Sequence, residues 1–291
     1  MNHRIPCLLL ATSLGWGAAA TAEESTFRKI SDVVFAEVGD RDLLLDLYMP
    51  HSPEAAPLIV YIHGGAWRSG SKDSMPLTRL LAEGFAIASV EYRLTLEARF
   101  PAQVHDIKAA IRFLRATQSQ FGYDSSRIAV AGSSAGGHLA ALVGVTNKIP
   151  ELEGTVGAHL DQSSNVQAIV AYFGATNLLS ILDQSTPRGL GVRIPALQLL
   201  LGGQPEEEPE LAKLASPVFH VDRSDPPLVL LHGDQDSQMP INQSHELHGM
   251  YKGLGLPVRL HVLYGAAHGG EAFYDEVRTQ AVREFLNSRG P

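Results

Sequence analysis

The run Gly132-Ser133-Ser134-Ala135-Gly136 decides the fold, because an apolar run at 128–131 leads into it and a segment rich in small residues, 138–146, leaves it. The first segment is typical of a buried strand and the second of a helix. A G-x-S-x-G sequence between a strand and a helix is typical of a nucleophile elbow, which exposes the serine oxygen at the helix N-terminus. Only Ser134 has glycine both two residues before it and two residues after it, where a side chain would crowd the turn. It is the candidate nucleophile, and an ordinary serine turn is the alternative.

Strand-like and helix-like segments alternate along most of the chain. Residues 27–38 and 43–49 are predicted to form a hairpin, and 101–118 is the clearest helix because its apolar residues recur at spacings of three and four. The other predicted strands are 58–62, 85–90, 128–131, 166–173, 228–231 and 258–264, and the other helices are 75–83, 138–146, 241–251 and 271–287. This alternation predicts an α/β fold with a mostly parallel central sheet, helices on both faces and an antiparallel edge.

The alternation lapses between residues 174 and 224, where glycine, proline and acidic residues are frequent. We interpret about 174–224 as a small cap insertion in a single domain. The acidic run at 206–208 is interpreted as the solvated start of a helix rather than as a cation site.

The N-terminal residues 1–22 have the pattern of a secretory signal peptide. A weakly basic start precedes an apolar stretch, and Ala20-Thr21-Ala22 offers an A-x-A cleavage site. The stretch is too short to span a membrane, so we expect a secreted or periplasmic protein whose domain is residues 23–291. An uncleaved apolar helix is the alternative. The chain's single cysteine, Cys7, lies in this segment, so a disulfide framework or cysteine metal site in the domain is excluded.

Charge and motifs exclude several classes of function. The formal net charge is −8 and no basic run exists, so nucleic acid and anionic membranes are poor partners. No HExxH or other metal-ligand spacing occurs, and we expect neither a metal nor a cofactor. The oligomeric state stays open.

A nucleophilic serine needs a base, and the base needs a carboxylate that orients it. Hydrolases with an elbow serine supply these in the order Ser, Asp or Glu, His, each after a strand. Asp234 and Asp236 both follow the strand at 228–231, and spacing alone does not choose between them. His268 follows the next strand, between small residues that allow a close approach to Ser134. Four other histidines are interpreted as structural or surface residues: His232, His245, His248 and His261. Three more lie in no recognisable pattern: His105, His138 and His220.

The sequence also offers donors for the oxyanion of a tetrahedral intermediate. One is the backbone amide of Ala135, directly after the candidate nucleophile, and the other is expected after the third strand. His63-Gly64-Gly65-Ala66-Trp67 stands there, and its glycines leave backbone N–H groups unobstructed. An ordinary glycine turn is the alternative.

With these motifs in place, the chain resembles the α/β-hydrolases of the carboxylesterase and hormone-sensitive-lipase-like group. It is most similar to the secreted branch with feruloyl and acetylxylan esterases, and the core is shared with prolyl-oligopeptidase-type peptidases. The resemblance covers about residues 32–286. The segments that carry it are HGGAW at 63–67, EYRL at 91–94, FPAQVHD at 100–106, GSSAGGHLAAL at 132–142, ASPV at 215–218, HGDQD at 232–236 and GAAHGG at 265–270.

The resemblance implies a role for individual residues. It makes Ser134 the nucleophile, His268 the general base and Asp236 rather than Asp234 the carboxylate of the triad. Its oxyanion donors match the amides of Gly65, Ala66 and Ala135. Ala66 stands where the family has a third glycine, so the Trp67 amide is a rival to it. The Trp67 side chain is expected either to line the acyl pocket or to pack in the core, and Arg93 and Asp106 are expected to be structural.

The resemblance therefore implies a secreted serine carboxylic-ester hydrolase that works through an acyl-enzyme. The expected substrates are short-chain or aromatic acyl esters, with carbohydrate-linked acetyl or feruloyl esters among them. A serine peptidase or amidase is one alternative, although we expect the domain to start close to the mature N-terminus, without a propeller that selects peptides. A non-catalytic binding protein on the hydrolase scaffold is the other.

Overall fold

The computed structural model of the protein describes residue 1 and residues 27–52, 54–147 and 149–288. The predicted signal peptide, apart from its first residue, lies outside the described residues, and so does Cys7.

Eight strands form one sheet in the order β1-β2-β4-β3-β5-β6-β7-β8. The strands are β1 (Phe27–Val38), β2 (Arg41–Pro50), β3 (Ala56–Ile62), β4 (Ala86–Val90), β5 (Tyr123–Ser133), β6 (Ala168–Tyr172), β7 (Leu228–Gly233) and β8 (Val258–Leu263). β2 is antiparallel to both of its neighbours, whereas β3 to β8 run parallel. The mostly parallel sheet with an antiparallel edge, predicted from the alternation of segments, is confirmed.

Helices cover both faces of this sheet. They are α1 (Thr78–Ala82), α2 (Ala102–Ala116), α3 (Gln118–Phe121), α4 (Ala135–Val145), α5 (Pro150–Glu153), α6 (Ile181–Gln184), α7 (Pro187–Leu201), α8 (Pro209–Leu214), α9 (Asn242–Gly253) and α10 (Glu276–Asn287). Short 3-10 turns occupy Pro217–Phe219 and Glu271–Phe273. In the described part of the chain, no helix is long and apolar enough to cross a membrane.

The alternating side chains of β3 illustrate how the two faces are buried. Val60 and Ile62 join the apolar layer that holds α2, α4 and α9, whereas Ile59 and Tyr61 join the layer that holds α1 and α10. Because successive residues of a strand point to opposite faces, a strand covered on both sides is apolar throughout. The continuous apolar run at 58–62 reflects this double burial.

Several helices begin or end away from the predicted positions. The helix predicted at 75–83 is reduced to α1, because Pro76 lacks an amide proton and disfavours helical geometry at Met75. The predicted closing helix at 271–287 divides into a 3-10 turn and α10, whose start is capped by Asp275 through a hydrogen bond from the Arg278 amide. The helix predicted from residue 138 begins at Ala135, directly after Ser134.

The segment at 174–224 contains α6, α7, α8 and one 3-10 turn. Leu197 and Leu200 of α7 are fully buried in the same apolar layer as α4. Glu206, Glu207 and Glu208 are exposed directly before α8, as expected for a solvated helix start. Whether this segment acts as a cap over the site stays a prediction.

Candidate active site

The loop between β5 and α4 holds Ser134 in a conformation that is rare for a residue with a side chain. Its φ is 55° and its ψ is −117°. A Cβ at Gly132 would lie 2.2 Å from the carbonyl oxygen of Gly136, and a Cβ at Gly136 would lie 2.0 Å from that of Ile62. Both positions therefore exclude every residue except glycine, and this tight packing holds the Ser134 turn against β3.

The side chains of Ser134, His268 and Asp236 form a hydrogen-bonded chain. Nε2 of His268 lies 2.9 Å from Oγ of Ser134, and Nδ1 lies 2.6 Å from Oδ2 of Asp236. His268 follows β8 and Asp236 follows β7, so the carboxyl ends of parallel strands bring together residues that are far apart in sequence. The ring of Phe173 contacts the imidazole edge to face, with 4.8 Å between centroids. The arrangement can pass a proton from the serine hydroxyl to the imidazole.

The structure distinguishes Asp234 from Asp236, between which sequence spacing alone could not choose the partner of His268. Oδ1 of Asp236 accepts hydrogen bonds from the amides of Gln238 and Met239, at 2.9 and 2.8 Å, which leaves Oδ2 for the imidazole of His268. Asp234 instead accepts a hydrogen bond from the Gly265 amide at 2.6 Å and thereby ties the loop after β7 to the loop after β8. Asp236 is the aspartate in contact with His268.

The Asp236 carboxylate remains ionised despite its burial. Burial alone would raise its pKa, but hydrogen bonds from His232 and His268, electrostatic attraction to His268 and the Met239 amide hold the pKa well below the ordinary value. Nε2 of His232 lies 3.4 Å from Oδ2 of Asp236 and 3.0 Å from the carbonyl oxygen of Met239. His232 is thus a structural residue, as expected, but one that touches the candidate triad. Its position at the end of β7, four residues before Asp236, was the signal for that contact.

The amides predicted for the oxyanion have no competing partner. Among the residues that the structure describes, the backbone N–H groups of Gly65, Ala66 and Ala135 donate no hydrogen bond to a protein acceptor, and neither does that of Trp67, so hydrogen bonding does not separate Ala66 from this rival. Ala135 is the first residue of α4, where helix geometry leaves the N–H group unpaired. Gly65, Ala66 and Trp67 all have positive φ, at 109°, 52° and 60°. We call residues 63–67 the oxyanion loop.

The Trp67 side chain lies in the core. It has no exposed surface, and its indole nitrogen donates a hydrogen bond to Nδ1 of His138, 3.0 Å away. This burial favours the packing alternative over a contact with substrate. Periodicity and spacing carry no sign of the pairing, because His138 looks like one more member of a small-residue helix.

Arg93 and Asp106 form a buried link between the loop after β4 and α2. Asp106 has no exposed surface, accepts the Arg93 amide at 2.9 Å and pairs with the guanidinium at 2.7 Å. The contacts agree with the structural role expected for both residues.

An open cavity of about 450 Å³ lies beside the nucleophile. A Cβ added to Gly64, which lines it, would lie 3.4 Å from Cβ of Ser134. The hydroxyl oxygens of Tyr61 and Ser133 lie 2.9 Å apart there. Burial raises the pKa of Tyr61 to about 12, although hydrogen bonds with Ser133 and Tyr274 act to lower it. Met75 and Pro76 contribute apolar lining, whereas Asp73, Ser74 and Ser133 contribute polar lining. The lining residues are Tyr61, Gly64, Asp73, Ser74, Met75, Pro76, Ser133 and Tyr274.

The described residues contain no group of three or more histidine, cysteine, aspartate or glutamate side chains that could hold a metal ion. Sheet order, elbow and hydrogen-bonded side chains together define an α/β-hydrolase. The chain belongs to the BD-FAE family, an esterase family of this fold, whose model matches residues 45–251. The resemblance stated from the sequence motifs is confirmed.

Two named relatives are examples of the similarity. The esterase LipC of Mycobacterium tuberculosis is 34% identical over 84% of this chain and 62% of its own length. The isoprenylcysteine α-carbonyl methylesterase ICME of Arabidopsis thaliana is 31% identical over 80% of this chain and 55% of its own length. The chain spans between 43% and 62% of the length of the first curated relatives it matches.

Two solved structures match over nearly their whole length. A truncated carbohydrate esterase from gut microbiota is 31% identical, with a TM-score of 0.81 over 91% of this chain and 98% of that one. An acetyl ester-xyloside bifunctional hydrolase from Caldicellulosiruptor lactoaceticus is 26% identical, with a TM-score of 0.74 over 89% of this chain and 96% of that one.

Proposed function

We propose that this protein is a serine carboxylic-ester hydrolase that acts through an acyl-enzyme. The observation that carries the proposal is the hydrogen-bonded chain from Ser134 through His268 to Asp236. Ser134 Oγ attacks the ester carbonyl carbon while Nε2 of His268 takes its proton. Asp236 accepts a hydrogen bond from Nδ1–H, which keeps Nε2 free as the base and stabilises the imidazolium.

The remaining steps use the same groups. The imidazolium of His268 gives its proton to the leaving alcohol, and the acyl group stays on Ser134 as an ester. Water then loses a proton to His268 and attacks this ester; the bond to Ser134 Oγ breaks, His268 returns the proton to that oxygen, and the carboxylic acid is released. The amides of Gly65, Ala66 and Ala135 are the proposed donors to the negatively charged oxygen in both tetrahedral intermediates.

We propose short-chain or aromatic acyl esters as substrates, with a carbohydrate as the alcohol. The similarity to a carbohydrate esterase and to an acetyl ester-xyloside hydrolase supports this choice. The cavity beside Ser134 supports it as well, because the polar side chains of Asp73, Ser74 and Ser133 in its lining suit an uncharged polyhydroxyl group better than a long acyl chain.

The test compares the wild-type protein with Ser134→Ala on p-nitrophenyl acetate, butyrate and decanoate, methyl ferulate and acetylated xylo-oligosaccharides. Ser126→Ala, an exposed serine on β5, is the matched control and is expected to keep wild-type rates. We expect Ser134→Ala to lose turnover, and mass spectrometry to find an acetyl group on the Ser134 peptide of the wild type. Equal turnover in wild type and Ser134→Ala, or hydrolysis of peptide p-nitroanilides alone, would contradict the proposal.

We also propose that the protein is exported and cleaved after Ala22, to a secreted or periplasmic location. The basic, apolar and small-residue order of residues 1–22 supports this. N-terminal sequencing of protein from cell fractions tests it, with Glu23 as the expected first residue.

A further inference from the structure

Two buried side chains join the oxyanion loop to the helix that follows the nucleophile. The indole Nε1–H of Trp67 donates to Nδ1 of His138 across 3.0 Å, and the two rings meet edge to face with 5.3 Å between centroids. Neither side chain has any exposed surface. A buried indole N–H or imidazole nitrogen without a partner costs free energy, so each of these groups depends on the other.

The second nitrogen of His138 binds a third element. Because Nδ1 accepts the indole proton, the imidazole proton is on Nε2, and it is donated to the carbonyl oxygen of Ala215 at 2.6 Å. Ala215 directly follows α8 in the 174–224 segment. His138 therefore holds the oxyanion loop, the nucleophile helix and that segment together through one ring of fixed tautomer.

The oxyanion loop has a conformation that needs such support. Ala66 and Trp67 both have φ in the left-handed region, at 52° and 60°, although neither is glycine. Residues with a side chain hold this geometry only where surrounding contacts enforce it. Besides the contact with His138, the Trp67 carbonyl accepts a hydrogen bond from the Thr95 amide at 2.9 Å. Without the indole hydrogen bond the loop would relax, and the free amides of Gly65 and Ala66 would change direction with it.

We propose that His138 is a positioning residue for the oxyanion hole: it fixes Trp67, and Trp67 keeps the Gly65 and Ala66 amides directed at the developing negative charge. The proposal rests on the proposed serine esterase function. A hole held in this way stabilises the transition state more than the bound ester. Its loss lowers kcat and leaves KM nearly unchanged.

The test uses three variants at the contact and one control. His138→Phe removes both hydrogen bonds, Trp67→Phe removes only the indole donor, and His138→Asn keeps an oxygen acceptor at the position of Nδ1. His245→Phe, on the exposed face of α9, is the matched control. For each protein, kcat and KM for p-nitrophenyl acetate are measured with the affinity for a trifluoromethyl ketone, which forms a tetrahedral adduct with the serine.

We expect kcat to fall about 10- to 100-fold in His138→Phe and Trp67→Phe, less than the full loss of one oxyanion donor. We expect KM to change less than about 3-fold and ketone affinity to fall in parallel with kcat, as for a transition-state contact. His138→Asn is expected to recover most of the lost kcat and most of the lost ketone affinity. If His138→Phe does not fold by circular dichroism, the comparison of Trp67→Phe with His138→Asn decides the result.

Wild-type kcat and ketone affinity in folded Trp67→Phe would overturn the proposal, and so would a loss carried by KM alone. His138→Asn no better than Trp67→Phe would also overturn it. In each of these results Ser134→Ala is inactive, so the proposed esterase function stands. If Ser134→Ala turns over esters at the wild-type rate, the esterase function fails and the role of His138 fails with it.

Discussion

At the scale of single residues, the elbow has no room for one additional carbon atom. A Cβ on Gly136 would lie within 2.0 Å of one backbone oxygen and 2.6 Å of another, those of Ile62 and His63. Backbone atoms move less easily than side chains, so Gly136→Ala is expected to destabilise the fold by at least about 2 kcal/mol. Urea unfolding of Gly136→Ala measures this loss, together with its activity.

The matched control is Gly249→Ala. Gly249 lies inside α9, and a Cβ added there would meet no atom within 4 Å, so alanine is expected to stabilise the protein by up to about 1 kcal/mol. If the two alanine variants unfold at the same urea concentration, the close approach at the elbow does not determine the choice of glycine.

The two neighbouring aspartates make a sharp comparison at the same scale. In Asp236→Asn the amide no longer fixes the His268 tautomer, and kcat is expected to fall about 10⁴-fold, as in serine proteases. Asp234→Asn keeps an oxygen that can accept the Gly265 amide, so its kcat is expected to remain within about 3-fold of wild type. Steady-state kinetics on p-nitrophenyl acetate measure both, and a larger loss in Asp234→Asn would reverse the assignment.

Burial of His138 predicts a pH-dependent stability. Burial lowers the pKa of His138 to about 4. The hydrogen bond to Ala215 acts to raise this pKa, and the charge of Arg193 lowers it further. Between pH 6.5 and 4 the unfolded chain binds a proton at this residue and the native protein does not, so the free energy of unfolding falls as pH drops. The full effect is about 3 kcal/mol.

Urea unfolding of wild type and His138→Asn at several pH values isolates this contribution. The stability advantage of wild type over the variant is expected to shrink by about 2–3 kcal/mol between pH 7 and 4.5. Parallel stability curves for the two proteins would show that His138 is not the group that titrates.

At the scale of elements, features that neighbouring residues encode could be predicted from the sequence. Features that depend on contacts between distant residues could not. The strands and the elbow follow from short apolar runs and from two glycines around Ser134. Spacing left Asp234 and Asp236 open, since both follow β7 and only the contact with His268 distinguishes them. The pairing of Trp67 with His138 joins residues 71 positions apart, which no local pattern encodes.

Helix ends were also predicted poorly, and α10 shows the cause. Its start is set by the Asp275 side chain, which accepts the Arg278 amide at 2.9 Å, rather than by apolar periodicity. Asp275→Ala is therefore expected to cost about 1 kcal/mol of stability, whereas Asp275→Ser keeps an acceptor and most of the cap. Thermal or urea unfolding checks the difference, and equal losses in both variants would contradict the capping role.

At the scale of the whole molecule, the candidate site has no local unit of its own. Its parts follow β3, β5, β7 and β8, and the His268–Ser134 contact joins residues 134 positions apart. The strands that carry these loops are shared by the apolar layers on both faces. Loss of either layer removes the geometry of the site, so site and sheet are expected to unfold together.

Tryptophan fluorescence makes this testable, because Trp16 and Trp67 are the only tryptophans in the sequence. In the protein that begins at Glu23, or in Trp16→Phe where residues 1–22 are kept, emission reports on the oxyanion loop alone. Esterase activity, Trp67 emission and far-UV circular dichroism are expected to change at the same urea concentration. Loss of activity and a red shift of Trp67 before the loss of circular dichroism would instead mean that the loop opens locally. The strained backbone at Ala66 and Trp67 would then depend on the His138 contact more than on the sheet.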